Sequence, residues 1–457
     1  MLQTLNKYSY SNNKLFYQNL KKIAIPMGIA SFFGSLLNMI DTLMISSLGD
    51  VSIAAVGSSN KLFFLMIVTL FGVYSGFGVF VSQYWGKKDI KRLQTIYMTA
   101  IITGIFISSI VSLIAIILPK QVLNVFSDNH EVIKVGVSYL RIVSLSFILS
   151  SLLFSVEMVS RSTENVKLPM FVATTGVVIN TVLNYLLIFG NFGFKEMGVE
   201  GAAIATVISR IIQLVIYIIY ILITKNPVLF LKISNIVFDK QLFKKIFMKS
   251  LPVVGNEFFW SLGIITIFAA YGRKGTEALA SMQLFDTMVG LLTVFTWGIA
   301  NSAAIMIGKK IGEKDIEEAK WYVKLFIFNS IFFGIITGFI ILSTIPFIPV
   351  FFKSQSLLVI HNIQYLLLVF ALYMPFNLLA ATFIVGILRS GGDTAYAFLF
   401  EVTTLWGYSV PAAWFLALFT SFTIPLIYFI ITFELVIKDL MCFMRYKSGK
   451  YIHNLVH

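Results

Sequence analysis

Residues 23–49 read IAIPMGIASFFGSLLNMIDTLMISSLG, 27 positions between the Lys21-Lys22 pair and Asp50 that hold one charged side chain, Asp41. At ~1.5 Å per residue a helix of that length exceeds the roughly 30 Å hydrocarbon core of a bilayer, so the stretch predicts a tilted membrane span carrying one acid. A carboxylate at that depth is costly unless it is partnered, hydrated or protonated. It therefore belongs on a bundle interior or a cavity, and it is read as functional.

The rest of the chain repeats the pattern. Of 457 residues 58% are hydrophobic, only 12% are charged and 44 are Phe, which predicts a polytopic all-α integral membrane protein. Spans are expected at 23–49, 62–84, 95–118, 135–160, 168–190, 198–224, 251–271, 284–307, 325–350, 366–388, 395–418 and 421–436. The polar, basic residues 1–22 show neither the short apolar core nor the cleavage site of a secretory signal, so the first span itself is expected to insert. Cys442 is the single cysteine and the four histidines are scattered, which argues against a disulfide or a metal cluster.

The net charge of +14 invites a nucleic-acid reading, but the charges follow the loops. With the N-terminus inside, 25 Lys and Arg fall on the cytoplasmic side and 7 on the other, leaving Arg141, Arg210 and Lys324 within or at the edges of spans. That is the positive-inside pattern, and it predicts that both termini are cytoplasmic. The basic excess is thus a topology signal, and no nucleic-acid partner is expected.

The chain also reads as two copies of itself. SQYWGKKDIKRLQ after span two returns as IGKKIGEKDIEEAK after span eight, matching Gly86 with Gly312, Lys88 with Lys314 and Asp89 with Asp315 at an offset of 226. The same offset pairs Pro26 with Pro252, Phe32-Phe33 with Phe258-Phe259, Gly49 with Gly275, Phe126 with Phe352 and Tyr139-Leu140 with Tyr365-Leu366. An even number of spans per half makes the repeats parallel, related by an axis along the membrane normal. The expected organisation is a cytoplasmic tail 1–22, a six-helix lobe 23–224, a linker 225–249, a second six-helix lobe 250–436 and a cytoplasmic tail 437–457. Duplicated membrane halves are what an alternating-access carrier is built from, with its substrate site near mid-membrane between them.

Asp41 lies eight residues before Gly49, Asn180 and Asn184 lie ten and six before Gly190, and Thr206 lies eight after Gly198. All four fall at one depth, with the two asparagines one turn apart on a single helix face. Carboxylate, amide and hydroxyl oxygens in such a pocket suit a small hard cation such as Na⁺; the same pocket suits a protonated Asp41. In the second half Glu257 lies eight residues after Lys249 and Glu401 eight after Asp393, again at one depth, while Asp286 is a further intramembrane acid. The plain alternative is that these acids cap a neighbouring Arg or Lys, as Glu157 also could. At the offset of 226 Asp41 falls on Ile267, Glu257 on Ser31, Asp286 on Asn60 and Glu401 on Thr175, so no acid has a twin. Trp260, beside Glu257, is the candidate lining residue of an aromatic cavity for flat cations. The GKKD and GEKD segments are expected to be structural, with Gly making the turn and Asp opening a helix.

These stretches together resemble the multidrug and toxic compound extrusion (MATE) family over nearly the whole chain. The marks are Asp41 followed by Leu48-Gly49, NTVLNYLLIFGNFG and GVEGAAIATVISR across spans five and six, LPVVGNEFFW, YGRKGTEALA, and ILRSGGDT with Trp406 and Pro411. The resemblance implies a bacterial cation-coupled exporter whose N-terminal lobe couples ion binding through the positions of Asp41, Asn180 and Asn184. Some members carry a second acid where this chain has Asn184, which leaves the choice between Na⁺ and H⁺ open. Glu257 resembles the span-seven acid of the bacterial multidrug branch; the span-ten acid often found there has no counterpart in PFNLLAATFIVGILRS, and Glu401 is the substitute proposed here.

The expected protein is a monomeric antiporter in the bacterial cytoplasmic membrane, coupling Na⁺ or H⁺ entry to export of amphipathic, often cationic drugs. No cofactor and no ATP are expected. A flippase for lipid-linked sugars is the nearest alternative, with Arg141 and Arg210 as its candidate cations. A membrane-embedded enzyme is the more distant one, since the His, Asp or Cys clusters it needs are missing from the sequence.

Overall fold

A computed structural model of the chain describes residues 10–125, 129–231, 240–294, 296–352 and 356–455. Phe126, Lys353 and linker residues 232–239 lie outside the described residues. Every regular element among the described residues is a helix. In order, spans one to six are Tyr10–Ser46, Asp50–Lys87, Ile90–Ile117, the broken pair His130–Val143 and Leu145–Ser162, Lys167–Phe189 and Gly198–Thr224. Spans seven to nine are Lys240–Gly272, the broken pair Thr276–Leu292 and Thr296–Gly312, and Ile316–Thr344. Span ten is Leu357–Ala381 continued by a π-helix, Thr382–Arg389. Span eleven is Thr394–Thr404, a π-helical Leu405–Ser409 and Val410–Phe419, and span twelve is Ile424–Thr432 with Glu434–Lys447. Nine helices among the described residues are long and apolar enough to cross a membrane, and span eight makes a tenth if its two parts count as one.

The duplication is visible in the backbone. Gly49 and Gly275 take φ of 94° and 108° before spans two and eight. Lys88 and Lys314 take φ of 62° and 63° after them, and Asp89 and Asp315 cap the next helices by accepting from Arg92 N and Glu318 N at 3.2 and 3.1 Å. The turn is therefore made by a left-handed lysine; Gly86 and Gly312 remain helical, a correction to the expected role of glycine there.

The offset of 226 does not hold throughout. The turn after span four is closed by Thr163 N to Val159 O, Glu164 N to Arg161 O and Asn165 N to Ser160 O. The turn after span ten repeats those three bonds as Gly391 to Ile387, Gly392 to Arg389 and Asp393 to Leu388, at an offset of 228. The π-helix Thr382–Arg389 takes up the surplus, since a wider turn fits more residues into the same length. Glu401, eight residues past this turn, therefore corresponds to Ala173 and not to Thr175.

Two compact units result, one of residues 29–247 and one of residues 10–28 with 248–455. The expected tail is thus already helical at Tyr10 and packs with the second half of the sequence. Phe16, Leu20, Ile23, Met27 and Ala30 are all buried at helical spacing. Phe16 sits edge-on to Tyr322 and Phe326, with ring centroids 5.2 and 4.9 Å away, and Trp321 Nε1 donates to Asn13 Oδ1 at 3.2 Å. The linker is likewise anchored before its middle: Gln94 Nε2 donates to the carbonyls of Pro227 and Phe230 at 2.7 and 2.9 Å. The C-terminal segment is no loose tail either. Tyr451 and Leu455 are buried, His453 N donates to Gly391 O at 2.6 Å and Asn454 Nδ2 to Ile311 O at 3.0 Å.

Span two starts at Asp50, well before the expected residue 62. The polar run Ser58-Ser59-Asn60-Lys61 stays helical because its groups find partners within the unit. Ser59 Oγ donates to Ala55 O at 2.7 Å, and Asn60 Oδ1 accepts from the Tyr139 hydroxyl at 3.4 Å. This longer helix brings Asn60 to the depth of Asp41.

Candidate functional site

In the unit of residues 29–247, spans one, two, four, five and six converge on a cavity of about 250 Å³. Its polar lining is Asp41, Asn60, Tyr139, Asn184 and Thr206; Ile45 and Val56 belong to its apolar wall. Asn184 Nδ2 donates to Asp41 Oδ1 at 2.7 Å and to Asn180 Oδ1 at 3.1 Å. The Thr206 hydroxyl donates to Ala202 O one turn back at 3.0 Å, which leaves its lone pairs for another partner. The four residues singled out in the first half thus come together, three in the cavity wall and Asn180 behind Asn184.

What the cavity leaves over is an acceptor. Asn184 Oδ1 is buried with no hydrogen-bond partner among the described residues, an orphan acceptor next to a carboxylate. Such an atom costs free energy unless something positive or protic meets it. Arg210, within electrostatic range of both Asp41 and Glu157, gives an N–H to Gln213 Oε1 at 2.9 Å. A set of one carboxylate and several neutral oxygens fits a small hard monovalent cation. Asn60 and Tyr139 were not identified as site residues. Their signal was present, for Asn60 is the repeat partner of Asp286 and Tyr139 is a repeat mark, but neither carries a charge.

The acids of the second unit are placed differently. Glu257 Oε1 accepts from Arg389 Nη2 at 2.6 Å, and Arg389 is only 2% exposed. Glu401 is bound at 2.6 Å by Lys438, which also holds Glu434 at 2.7 Å. So both acids, expected to share one site, are each tied to a different base, and Lys438 was not foreseen as a partner. In the first unit Glu157 is likewise ion-paired with Arg161. Trp260 is exposed, as is Asp286, which has no hydrogen bond or ion pair among the described residues.

Asp286 nevertheless has neighbours that match the first cavity. It lies within electrostatic range of the Tyr271 and Tyr428 hydroxyls. At the offset of 226, to which span twelve returns because it opens at Ile424 as span six opens at Gly198, these three correspond to Asn60, Ile45 and Ala202, all lining the first cavity. Thr432 repeats Thr206, its hydroxyl donating to Tyr428 O at 2.6 Å. The matched positions thus carry polar groups in both halves but only the threonine in common, with the acid on span one in the first and on span eight in the second.

Comparison with known proteins gives the following. The MatE family model matches residues 26–186 and again 252–415, two segments that begin 226 residues apart. A Bacillus subtilis protein described as probable multidrug resistance protein YoeA is 24% identical over 89% of this chain and 88% of its own length. The probable multidrug resistance protein NorM of Thermotoga maritima is 24% identical over 87% and 84%. Among solved structures, the Vibrio cholerae MATE transporter VcmN aligns with a TM-score of 0.87 at 17% identity, covering 96% of this chain and 98% of that one. An outward-facing multidrug resistance MATE family transporter aligns at 0.80 and 17%, covering 94% and 96%.

Proposed function

The chain belongs to the MatE family, and from that membership we propose that it is a cation-coupled antiporter of the bacterial cytoplasmic membrane, with both termini cytoplasmic. An inward gradient of Na⁺ or H⁺ drives the outward movement of amphipathic, often cationic organic compounds by alternating access, without ATP or a bound cofactor. The export of drugs is supported by the names of the relatives, YoeA and NorM. The orientation is supported by the 25 to 7 division of Lys and Arg.

The observation that carries the coupling is the bond from Asn184 to Asp41 beside the orphan Asn184 oxygen. Na⁺ in the cavity would be held by Asp41, Asn184 Oδ1, Asn60 and Thr206, relieving the desolvated carboxylate and the orphan acceptor together. A proton would satisfy the carboxylate alone, so the orphan oxygen favours Na⁺. Ion and substrate each shift the access equilibrium only by their differential affinity for its two states. Asp286, with the tyrosines around it, supplies a carboxylate for the positive end of a substrate in the second unit. Glu257 and Glu401 act through Arg389 and Lys438.

The test is efflux of a fluorescent organic cation from proteoliposomes under a Na⁺ gradient, an H⁺ gradient or neither, with Asp41→Asn in parallel. One gradient should drive efflux, and the variant should lose that dependence. If neither gradient moves any organic cation, the exporter reading fails and lipid-linked sugars become the substrates to try.

A further inference from the structure

Spans ten to twelve enclose a second group of charges that the ion site at Asp41 does not use. Glu401, Glu434, Lys438 and Asp439 are 6, 7, 5 and 6% exposed. Lys438 divides its ammonium between Glu401 and Glu434, at 2.6 and 2.7 Å, and the Thr404 hydroxyl donates to the same Glu434 oxygen at 2.7 Å. Asp439, the next residue along, is within electrostatic range of Lys438 and Glu434, yet neither of its oxygens has a hydrogen-bond partner among the described residues. The remaining charges that face the group among the described residues are Arg389, within range of Glu401, and its own partner Glu257. The buried thiol of Cys442 borders it too.

Four carboxylates thus share two bases in a buried region. The triad of Glu401, Lys438 and Glu434 already carries one excess negative charge, and an ionised Asp439 would add a second with no donor to meet it. Burying an unpaired carboxylate is far more costly than burying a neutral acid with one unmade bond. A metal ion is a poor answer: no group of three or more His, Cys, Asp or Glu among the described residues could hold one. The Lys438 ammonium also fills the position between Glu401 and Glu434 that a metal would need.

We propose that this group is a proton-binding centre in the second unit, separate from Asp41, with Asp439 as the carboxylate that holds the proton. Binding adds one proton to one Asp439 oxygen and changes no other bond. Leaving returns the region to two excess charges, which the rigid triad cannot absorb without moving. The π-helical stretches Thr382–Arg389 and Leu405–Ser409 border the group, one ending at Arg389 and the other following Thr404. Wide turns of this kind are rare in helices and frequent at functional sites, so spans ten and eleven are where such a movement is taken up. A role in transport rests on the exporter reading above; the binding of the proton does not.

Infrared titration of the full-length protein in lipid, at saturating Na⁺, tests this through the carbonyl stretch of a protonated carboxylic acid. The wild type should show that band at neutral pH and lose it as pH rises. Asp439→Asn should abolish it and Asp41→Asn should leave it. Glu434→Gln, which removes one neighbouring negative charge and keeps the volume, should move its loss to lower pH. Absence of the band in the wild type, its persistence in Asp439→Asn, or an unmoved titration in Glu434→Gln overturns the proposal. Efflux measured in the same vesicles separates the two ideas. A titrating Asp439 without export sinks the exporter reading alone, and export without the band sinks the proton centre alone.

Discussion

Asn184 gives an amide hydrogen to Asp41 at 2.7 Å while its own carbonyl oxygen, buried, receives nothing from the described residues. One side chain therefore positions the carboxylate and presents a second oxygen beside it. The amide is spent on geometry, and the oxygen is left over for whatever enters the cavity.

The first prediction follows from that division of labour. Asn184→Ala removes both functions and should weaken Na⁺ binding at least tenfold, about 1.4 kcal/mol. Asn184→Asp adds a charge and should strengthen it. Na⁺-dependent thermal stabilisation of the purified protein reads both, because an ion that binds only the folded state raises the midpoint by mass action. An unchanged Na⁺ response in Asn184→Ala would remove this residue from the ion site.

Removing Arg389 should be among the most damaging single changes. Arg389→Met strands the Glu257 carboxylate, and breaking a buried pair in this way costs about 3–5 kcal/mol. Combining it with Glu257→Gln should recover most of the loss. Denaturant unfolding of the three variants decides it; a double variant as unstable as Arg389→Met would show that Arg389 matters for reasons other than this pair.

Lys88 and Lys314 hold left-handed backbone at equivalent turns, a conformation that disfavours side chains. Lys88→Gly and Lys314→Gly should each stabilise by about 0.5–1 kcal/mol after the entropy cost of glycine. The two should behave alike, since the turns are copies. A lowered melting temperature for either would mean that the lysine side chain contributes more than its backbone costs.

Phe16→Ala should destabilise the second unit by about 3 kcal/mol, although the residue lies at the other end of the sequence. Limited proteolysis would report it, as faster cleavage within residues 248–455 than within 29–247. Equal sensitivity of the two would sever Phe16 from that unit.

Much of this was legible in the chain. Asp41, Asn180, Asn184 and Thr206 announced themselves because helix geometry turns spacing from a span end into depth, and four polar groups at one depth rarely coincide. The partners of the second-half acids stayed hidden for the opposite reason. Lys438 was counted with the C-terminal tail, and nothing local shows that it turns back onto Glu401, 37 residues earlier. Asn60 was lost because Lys61 beside it read as the end of a span, when the helix runs on through both. Phe16 was lost in a tail judged by its lysines, although its buried face carries the same spacing as the span that follows.

The turn after span ten also records what became of one ion pair after the halves separated. At the turns that match, Arg389 stands where the first half has Arg161. Arg161 is paired with Glu157, one turn back on its own helix; Arg389 is paired with Glu257, on span seven. The second half has Val385 in the place of Glu157, and Glu257 on span seven where the first half has Ser31, turning a stitch along one helix into a rivet between two. Divergence here kept the base and moved the acid, so the same guanidinium, present in both copies, secures a different seam in each.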